Sequence, residues 1–209
     1  MRTRSSKPNL PDRPDSAVYQ PNNWLDPLDW RAIFSDATRP LEIDVGCGKG
    51  GFLLWVAGSQ PTRNFLGVER QLIRLRKVDK KIHDRQLTNA RLLRVEAGYL
   101  VEKLIPTHSV SAYHIFFPDP WPKRRHHFRR LFQLAFVQAL YRTLKPDGAV
   151  NVATDDLEYF AHMQKVMRES GRFCEKPATA LPVEAQTEFE KIFLAQGKII
   201  GRAKFLVES

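Results

Sequence analysis

Residues 41–51 read LEIDVGCGKGG, and this run decides the fold. Leu41, Ile43 and Val45 on alternate positions suit a strand, and the glycines that follow suit a tight turn into a helix over 51–58. A strand, a glycine loop and a helix open a doubly wound α/β sheet. Glycine also lets the backbone pass close to a ligand, and the helix start behind the loop aims amide groups at whatever binds there.

Working outward, the same alternation repeats. Strands are predicted over 65–69, 91–95, 110–117, 149–154 and 199–207. Between them come a helix with Leu72, Leu75, Val78 and Ile82 at helical spacing, a short one over 99–105 and a longer one over 131–144. The last of these closes on the turn Lys145-Pro146-Asp147-Gly148. A further helix follows residue 154, capped by Asp155 or Asp156 and stopped near Gly171, and another covers 188–196. Upstream, Asp26-Pro27 reads as a helix start with Leu28, Ala32 and Ile33 facing inward. The fold class is therefore α/β, a Rossmann-like doubly wound and mostly parallel sheet, over residues 23–209. Residues 1–22 are rich in Pro, Arg, Asn and Asp and are expected to form a mobile arm; contact with RNA through Arg2, Arg4 and Lys7 is the alternative, and a disordered tail the preferred account.

Residues 113–130, YHIFFPDPWPKRRHHFRR, form the second informative stretch. An apolar strand ends in Phe116-Phe117, and three prolines then exclude both strand and helix. The stiff loop presents Asp119 and Trp121 at a strand end, where open α/β sheets bind ligands. Lys123, Arg124, Arg125, Arg129 and Arg130 follow, with His126 and His127 among them, a composition suited to phosphates. The whole chain of 209 residues carries a formal net charge of +10, which favours a polyanionic partner. The basic face of the helix after residue 70 (Arg70, Arg74, Lys77, Lys80, Lys81) reads as a solvated surface.

The 2 cysteines, Cys47 and Cys174, fit no metal-ligand or redox spacing, so no metal is expected. With no membrane-length apolar run and no secretory signal, the expected compartment is the cytoplasm. The expected state is a monomer or a homodimer.

The glycine loop satisfies two templates. Gly46, Gly48 and Gly51 match the dinucleotide fingerprint G-x-G-x-x-G, with Glu69 near the distance of a ribose carboxylate. Gly46, Gly48 and Gly50 match the G-x-G-x-G loop of S-adenosylmethionine (SAM) methyltransferases. The acids at three successive strand ends, Asp44, Glu69 and Glu96, favour a cationic cofactor over a doubly negative one. A dehydrogenase would also need a second domain for its hydride acceptor.

Taken together, D-V-G-C-G-K-G, G-V-E, P-D-P-W-P-K-R-R-H-x-x-R-R, A-T-D and T-E-F-E resemble the bacterial tRNA (guanine-N7)-methyltransferase family from about residue 41 to the C-terminus. The resemblance implies SAM as cofactor, tRNA as partner and methylation of a variable-loop guanosine at N7. It places Asp44, Gly46, Gly48, Glu69, Glu96 and Asp119 at SAM, and makes Asp119 the catalytic residue. Lys123, Asp155, Thr187, Glu188, Phe189 and Glu190 fall at its substrate contacts. Arg125, His126, Arg129 and Arg130 fall in the stretch assigned to RNA. Two positions depart from the family: Glu96 stands where Asp is frequent, and Phe189 where Tyr is usual. Local chemistry offers other roles too. Thr187-x-x-Glu190 is a capping-box pattern, and Asp155 is a possible helix cap. The charge would equally serve an RNA-binding module that keeps the fold without turnover, or a methyltransferase acting on another RNA.

Overall fold

The computed structural model describes residues 15–178 and 180–208. In chain order the elements are β1 (Val18–Tyr19), α1 (Trp30–Ile33), β2 (Leu41–Val45), α2 (Gly51–Ser59), β3 (Asn64–Val68), α3 (Leu72–Asp84), β4 (Ala90–Leu93), α4 (Ala97–Tyr99), β5 (Val110–Phe116), α5 (Leu134–Thr143), β6 (Leu144–Thr154), α6 (Leu157–Glu169), β7 (Phe173–Lys176), α7 (Glu188–Ala195) and β8 (Gly201–Val207). A π-helical turn (Leu100–Leu104) continues α4, and a 3₁₀ turn (Arg124–Arg129) precedes α5.

All strands join one sheet in the order β1-β4-β3-β2-β5-β6-β8-β7. The pairs from β1 through β6 are parallel, and β8 runs antiparallel between β6 and β7. Residues 41–45 and 64–68 are buried throughout, as strands covered on both faces must be. One face packs α2 and α3 through Phe52, Leu53, Leu75, Val78 and Ile82. The other packs α5, α6 and the π turn through Phe136, Leu140, Met163 and Leu104. Gly67 permits close helix approach, since a Cβ there would meet Leu53 Cδ2 at 2.5 Å. From β2 the chain builds outward through β3 to β4 and then returns to add β5 and β6 on the other side. That reversal opens a crevice at the strand C-termini between β2 and β5.

Several expectations change. The first helix is capped by Asp29, not Asp26: Leu28 gives its N–H to Leu104 O at 2.8 Å, so the chain is still extended there. Asp26 instead accepts from Asn23 Nδ2 at 2.7 Å. Leu28 and Ile33 are buried, and Ala32 faces out. Lys145–Gly148 is not a free turn before a strand but an excursion within β6, between Leu144 (paired with Val110) and Ala149 (paired with Ala112). The end of the expected arm is part of the sheet: β1 pairs with β4, and Ala17 N donates to the buried Asp79 carboxylate at 2.7 Å. Arg2, Arg4 and Lys7 lie outside the described residues. Among the described residues no helix is long and apolar enough to cross a membrane, and no His/Cys/Asp/Glu cluster could hold a metal ion.

Candidate active site

A cleft of about 800 Å³ lies over the ends of β2, β3, β4 and β5 and under α7. It gathers Asp44, Gly46, Gly48, Glu69, Glu96, Asp119, Asp155, Thr187, Glu188, Phe189 and Arg129 into one lining. Sequence neighbours could not have done this. Parallel strands carry their C-terminal residues to one rim, so acids far apart in the chain share a crevice.

β2 delivers Asp44, only 6% exposed, into this cleft. Burial, and then the charge of Glu69, push its carboxyl up from the ordinary 3.8 to about 7. Gly46 and Gly48 turn the chain with φ +80° and +55°, a left-handed backbone that glycine takes without strain. A Cβ on Gly46 would meet nothing within 4 Å, so the backbone there faces open space. The amides of Gly46 and Cys47 both donate to Val68 O at 2.9 Å, tying the loop to the end of β3. Cys47 is no nucleophile: burial first, then the charges of Asp44 and Glu69, raise its thiol well above the ordinary range.

Glu69 is buried beside Asp44. Its Oε1 accepts from Gln71 N at 2.7 Å and its Oε2 lies 3.7 Å from Arg74. Glu96 lines the same rim while capping α4, accepting from Gly98 N at 2.9 Å and Tyr99 N at 2.8 Å. Its carboxylate is thereby held in place, with lone pairs to spare. A buried carboxylate needing a positive partner, next to a fixed acid and an open glycine backbone, fits a ligand bearing an ammonium or sulfonium group and a ribose. SAM has those groups. Asp44 would face its cationic part, Glu69 its ribose hydroxyls, and Glu96 the rim beyond.

Across the cleft lies the proline loop. Phe117 (φ +53°) and Trp121 (φ +46°) are both left-handed, and they bracket the exposed Asp119. The anchor of this loop is Arg130. Its guanidinium donates to Pro120 O at 2.8 Å and to both carboxylate oxygens of Glu158, at 3.0 and 2.6 Å, and lies 4.8 Å from the Tyr159 ring centroid. The side chain is 1% exposed. Arg130 is therefore corrected from an RNA contact to a clamp beneath the loop. Arg129, one residue earlier, is exposed and lies 5.0 Å from the Trp121 ring centroid. Lys123 and Arg125 project from the exposed turn outside the cleft proper, and His126 meets the Trp121 ring edge-on at 5.9 Å.

The third wall is α7 and its approach. Thr187 caps α7, its hydroxyl accepting from Glu190 N at 3.1 Å, which bears out the capping half of the motif. Glu190 is 0% exposed and paired with Arg202, with no contact to the cleft. As a direct substrate contact it is corrected: it fixes α7 on β8. Glu188 reaches across to Lys49 of the glycine loop. Asp155 is not a helix cap, since Asp156 caps α6 by accepting from Tyr159 N at 2.9 Å. Asp155 instead lines the cleft and pairs with Lys198 at 2.6 Å. The sequence reading missed Lys49, Arg70, Arg74, Lys81, Phe117 and Phe193, all in the lining. Arg70, Arg74 and Lys81 belong by sequence to a solvated face, because helical periodicity does not reveal which edge of a polar face overlooks a crevice. Lys49 inside the glycine loop was the one visible signal.

A parallel sheet with a topological switch, an acidic cofactor cradle and a neighbouring basic loop define a SAM-dependent methyltransferase. A family model described as "Putative methyltransferase" matches residues 38–203. The chain is 34% identical over 178 residues to the tRNA (guanine-N(7)-)-methyltransferase of Syntrophotalea carbinolica, covering 83% of this chain and 76% of that protein. It is 32% identical to the protein of the same name from Rubrobacter xylanophilus, covering 88% and 84%. Among solved structures, a 30S ribosomal A1408 methyltransferase from an uncultured bacterium superposes with TM-score 0.61 at 16% identity, covering 87% of this chain and 95% of that one, a likeness of fold. The chain belongs to the tRNA (guanine-N(7)-)-methyltransferase family, and SAM is its cofactor.

Proposed function

We propose that the protein transfers the methyl group of SAM to N7 of a guanine in tRNA, the variable-loop guanosine by family resemblance. The observation that carries this reading is one cleft with two unlike halves: a buried acidic cradle at β2 and β3, and an exposed carboxylate beside a cationic turn after β5. Bound SAM supplies an electrophilic methyl group on a positively charged sulfur. Guanine N7 offers an in-plane lone pair and carries no hydrogen. The N7–carbon bond forms as the carbon–sulfur bond breaks, and no proton has to leave first.

Catalysis is then chiefly alignment and exclusion of water. Asp44 and Glu69 hold the donor. Asp119 faces the acceptor, where its carboxylate orients the guanine edge and offsets the positive charge that arrives with the methyl group. Asp155, Glu188 and Phe189 surround the acceptor side. Lys123, Arg125 and Arg129 take phosphates, and Arg70, Arg74 and Lys81 extend the positive rim on the opposite bank.

The test is incubation of the protein and labelled SAM with tRNA lacking this modification, followed by mass-spectrometric mapping. Appearance of 7-methylguanosine at a single tRNA position is the expected result. A methyl group appearing only on ribosomal RNA, or none appearing while tRNA binds, would overturn the reading.

A further inference from the structure

The cleft has an aromatic side of which only Phe189 has so far been placed, near the acceptor. Its aromatic lining residues are Phe116, Phe117, Trp121, Phe189 and Phe193, and all lie at the end of β5, in the loop beyond it, or on α7. The linings from the ends of β2, β3 and β4 contain none. Phe117 is the most constrained of the set. Its φ of +53° is an outlier for a bulky side chain, and its amide is tied down to Ala153 O at 2.7 Å. Residues held in such conformations gather where a structure positions a ligand.

The Phe117 ring packs against Phe193 with centroids 5.7 Å apart, and Phe193 stacks on Phe189 at 6.0 Å and 19°. Lys198 Nζ lies 4.2 Å from the Phe193 centroid and also pairs with Asp155. A row of rings thus runs from Phe117 to the half-exposed Phe189, on the same side of the cleft as Asp119. Trp121 is engaged elsewhere, with Arg129 against its ring and His126 at its edge.

We propose that Phe117, braced by Phe193, is the ledge on which the acceptor purine lays its face during methyl transfer. The inference rests on the reading that this cleft methylates a guanine. Stacking holds the plane of a base without reading its edges, which leaves N7 free in that plane. The ledge also acts differentially. The guanine becomes a cation as the methyl group arrives, and the electron-rich face of a phenyl ring attracts a cation more strongly than a neutral base. An interaction that grows toward the transition state raises the rate of the chemical step.

The experiment measures single-turnover formation of 7-methylguanosine by Phe117→Leu, Phe117→Tyr and Phe193→Leu, with SAM and tRNA dissociation constants measured alongside. Phe117→Leu should slow methyl transfer by about tenfold or more, as expected for loss of one stacking contact. Its SAM and tRNA affinities should stay within about twofold of wild type, because neither ligand depends mainly on this ring. Phe117→Tyr should restore most of the rate. Phe193→Leu, whose backbone is ordinary helix, should give a smaller loss in the same step, and it keeps the test decisive if Phe117→Leu does not fold. Full rates in the leucine variants, or SAM affinity falling in parallel with rate, would overturn the ledge. If the wild-type protein forms no 7-methylguanosine, it is the proposed function that fails. An active wild type with fully active leucine variants sinks the ledge alone.

Discussion

The glycine loop and the proline loop face each other across one cleft and reach similar backbone shapes by opposite chemistry. Gly46, Gly48 and Gly50 adopt positive φ because they have no Cβ to clash; Gly46 leaves open space in front of the backbone, whereas Gly50 lets Val78 pack close, a Cβ there meeting its Cγ1 at 2.8 Å. Phe117 and Trp121 adopt positive φ as bulky residues, at a cost of about 1–3 kcal/mol each. That conformation persists only because something outside the loop enforces it: the Phe117 amide tied to Ala153 O, and the buried Arg130 guanidinium on Pro120 O and Glu158. The contrast extends to charge. The donor side buries its key carboxylate, Asp44, so that it needs a cation, whereas the acceptor side leaves Asp119 exposed. A cofactor site is thus pre-formed by a permissive backbone, and an acceptor site by a strained one under external clamp.

Asp119→Ala breaks the acceptor side and should give the largest effect. The single-turnover rate should fall by about 10²–10³, as for loss of one positioned electrostatic group, with SAM and tRNA affinity nearly intact. Equal loss of affinity and rate would make Asp119 a structural residue. Asp44→Asn breaks the donor side: SAM binding by calorimetry should weaken about 10–100-fold through the loss of a charge-assisted contact. The ligand-free protein should at the same time become more heat-stable at pH 8.

The sign of that second effect follows from the shifted carboxyl. Its folded pKa of about 7 lies above the ordinary 3.8, so the folded state holds the proton more tightly. In the ligand-free protein Asp44 therefore lowers stability progressively as pH rises from about 4 to about 7, with no further change above. SAM affinity should move the other way, rising by up to tenfold per pH unit below about 7 and levelling above it. A flat affinity profile between pH 5 and 8 would show that Asp44 does not meet the cofactor's charge.

The neighbours Arg129 and Arg130 give the finest comparison. Arg129→Ala should reduce the salt slope of tRNA binding by about 1, as for one lost phosphate contact. Arg130→Met should leave the slope unchanged while lowering the melting temperature and the rate, because its guanidinium holds the Asp119 loop. A reduced slope in Arg130→Met would return that residue to the RNA surface.

Much of the fold was legible because periodicity is local. Leu72, Leu75, Val78 and Ile82 fall on the buried side of α3 as their spacing required, and 41–45 forms the strand before the glycine loop. The misses have one kind of cause. Asp26 and Asp29 are both competent caps, and a hydrogen bond from Leu28 to a residue 76 positions away chose between them. Ser16–Tyr19 sits within the Pro-, Arg- and Asn-rich residues 1–22, whose overall composition argues against order, yet it is held by Asp79 on α3 and by β4. Arg130 looks like any other cation in its cluster until Glu158 and Tyr159 are placed beneath it.

By itself the sequence determined the strand–loop–helix order, the acidic strand ends, the cationic turn and the family motifs, since each is written in residues close together in the chain. Tertiary structure alone decided that Asp44, Glu69, Asp119 and Asp155 share a cleft, that Glu190 and Arg130 are buried supports, and that the aromatic rings among the described lining residues lie on the acceptor side. Burial, pairing and strain depend on what lies across a parallel sheet, and linear order does not encode that neighbour.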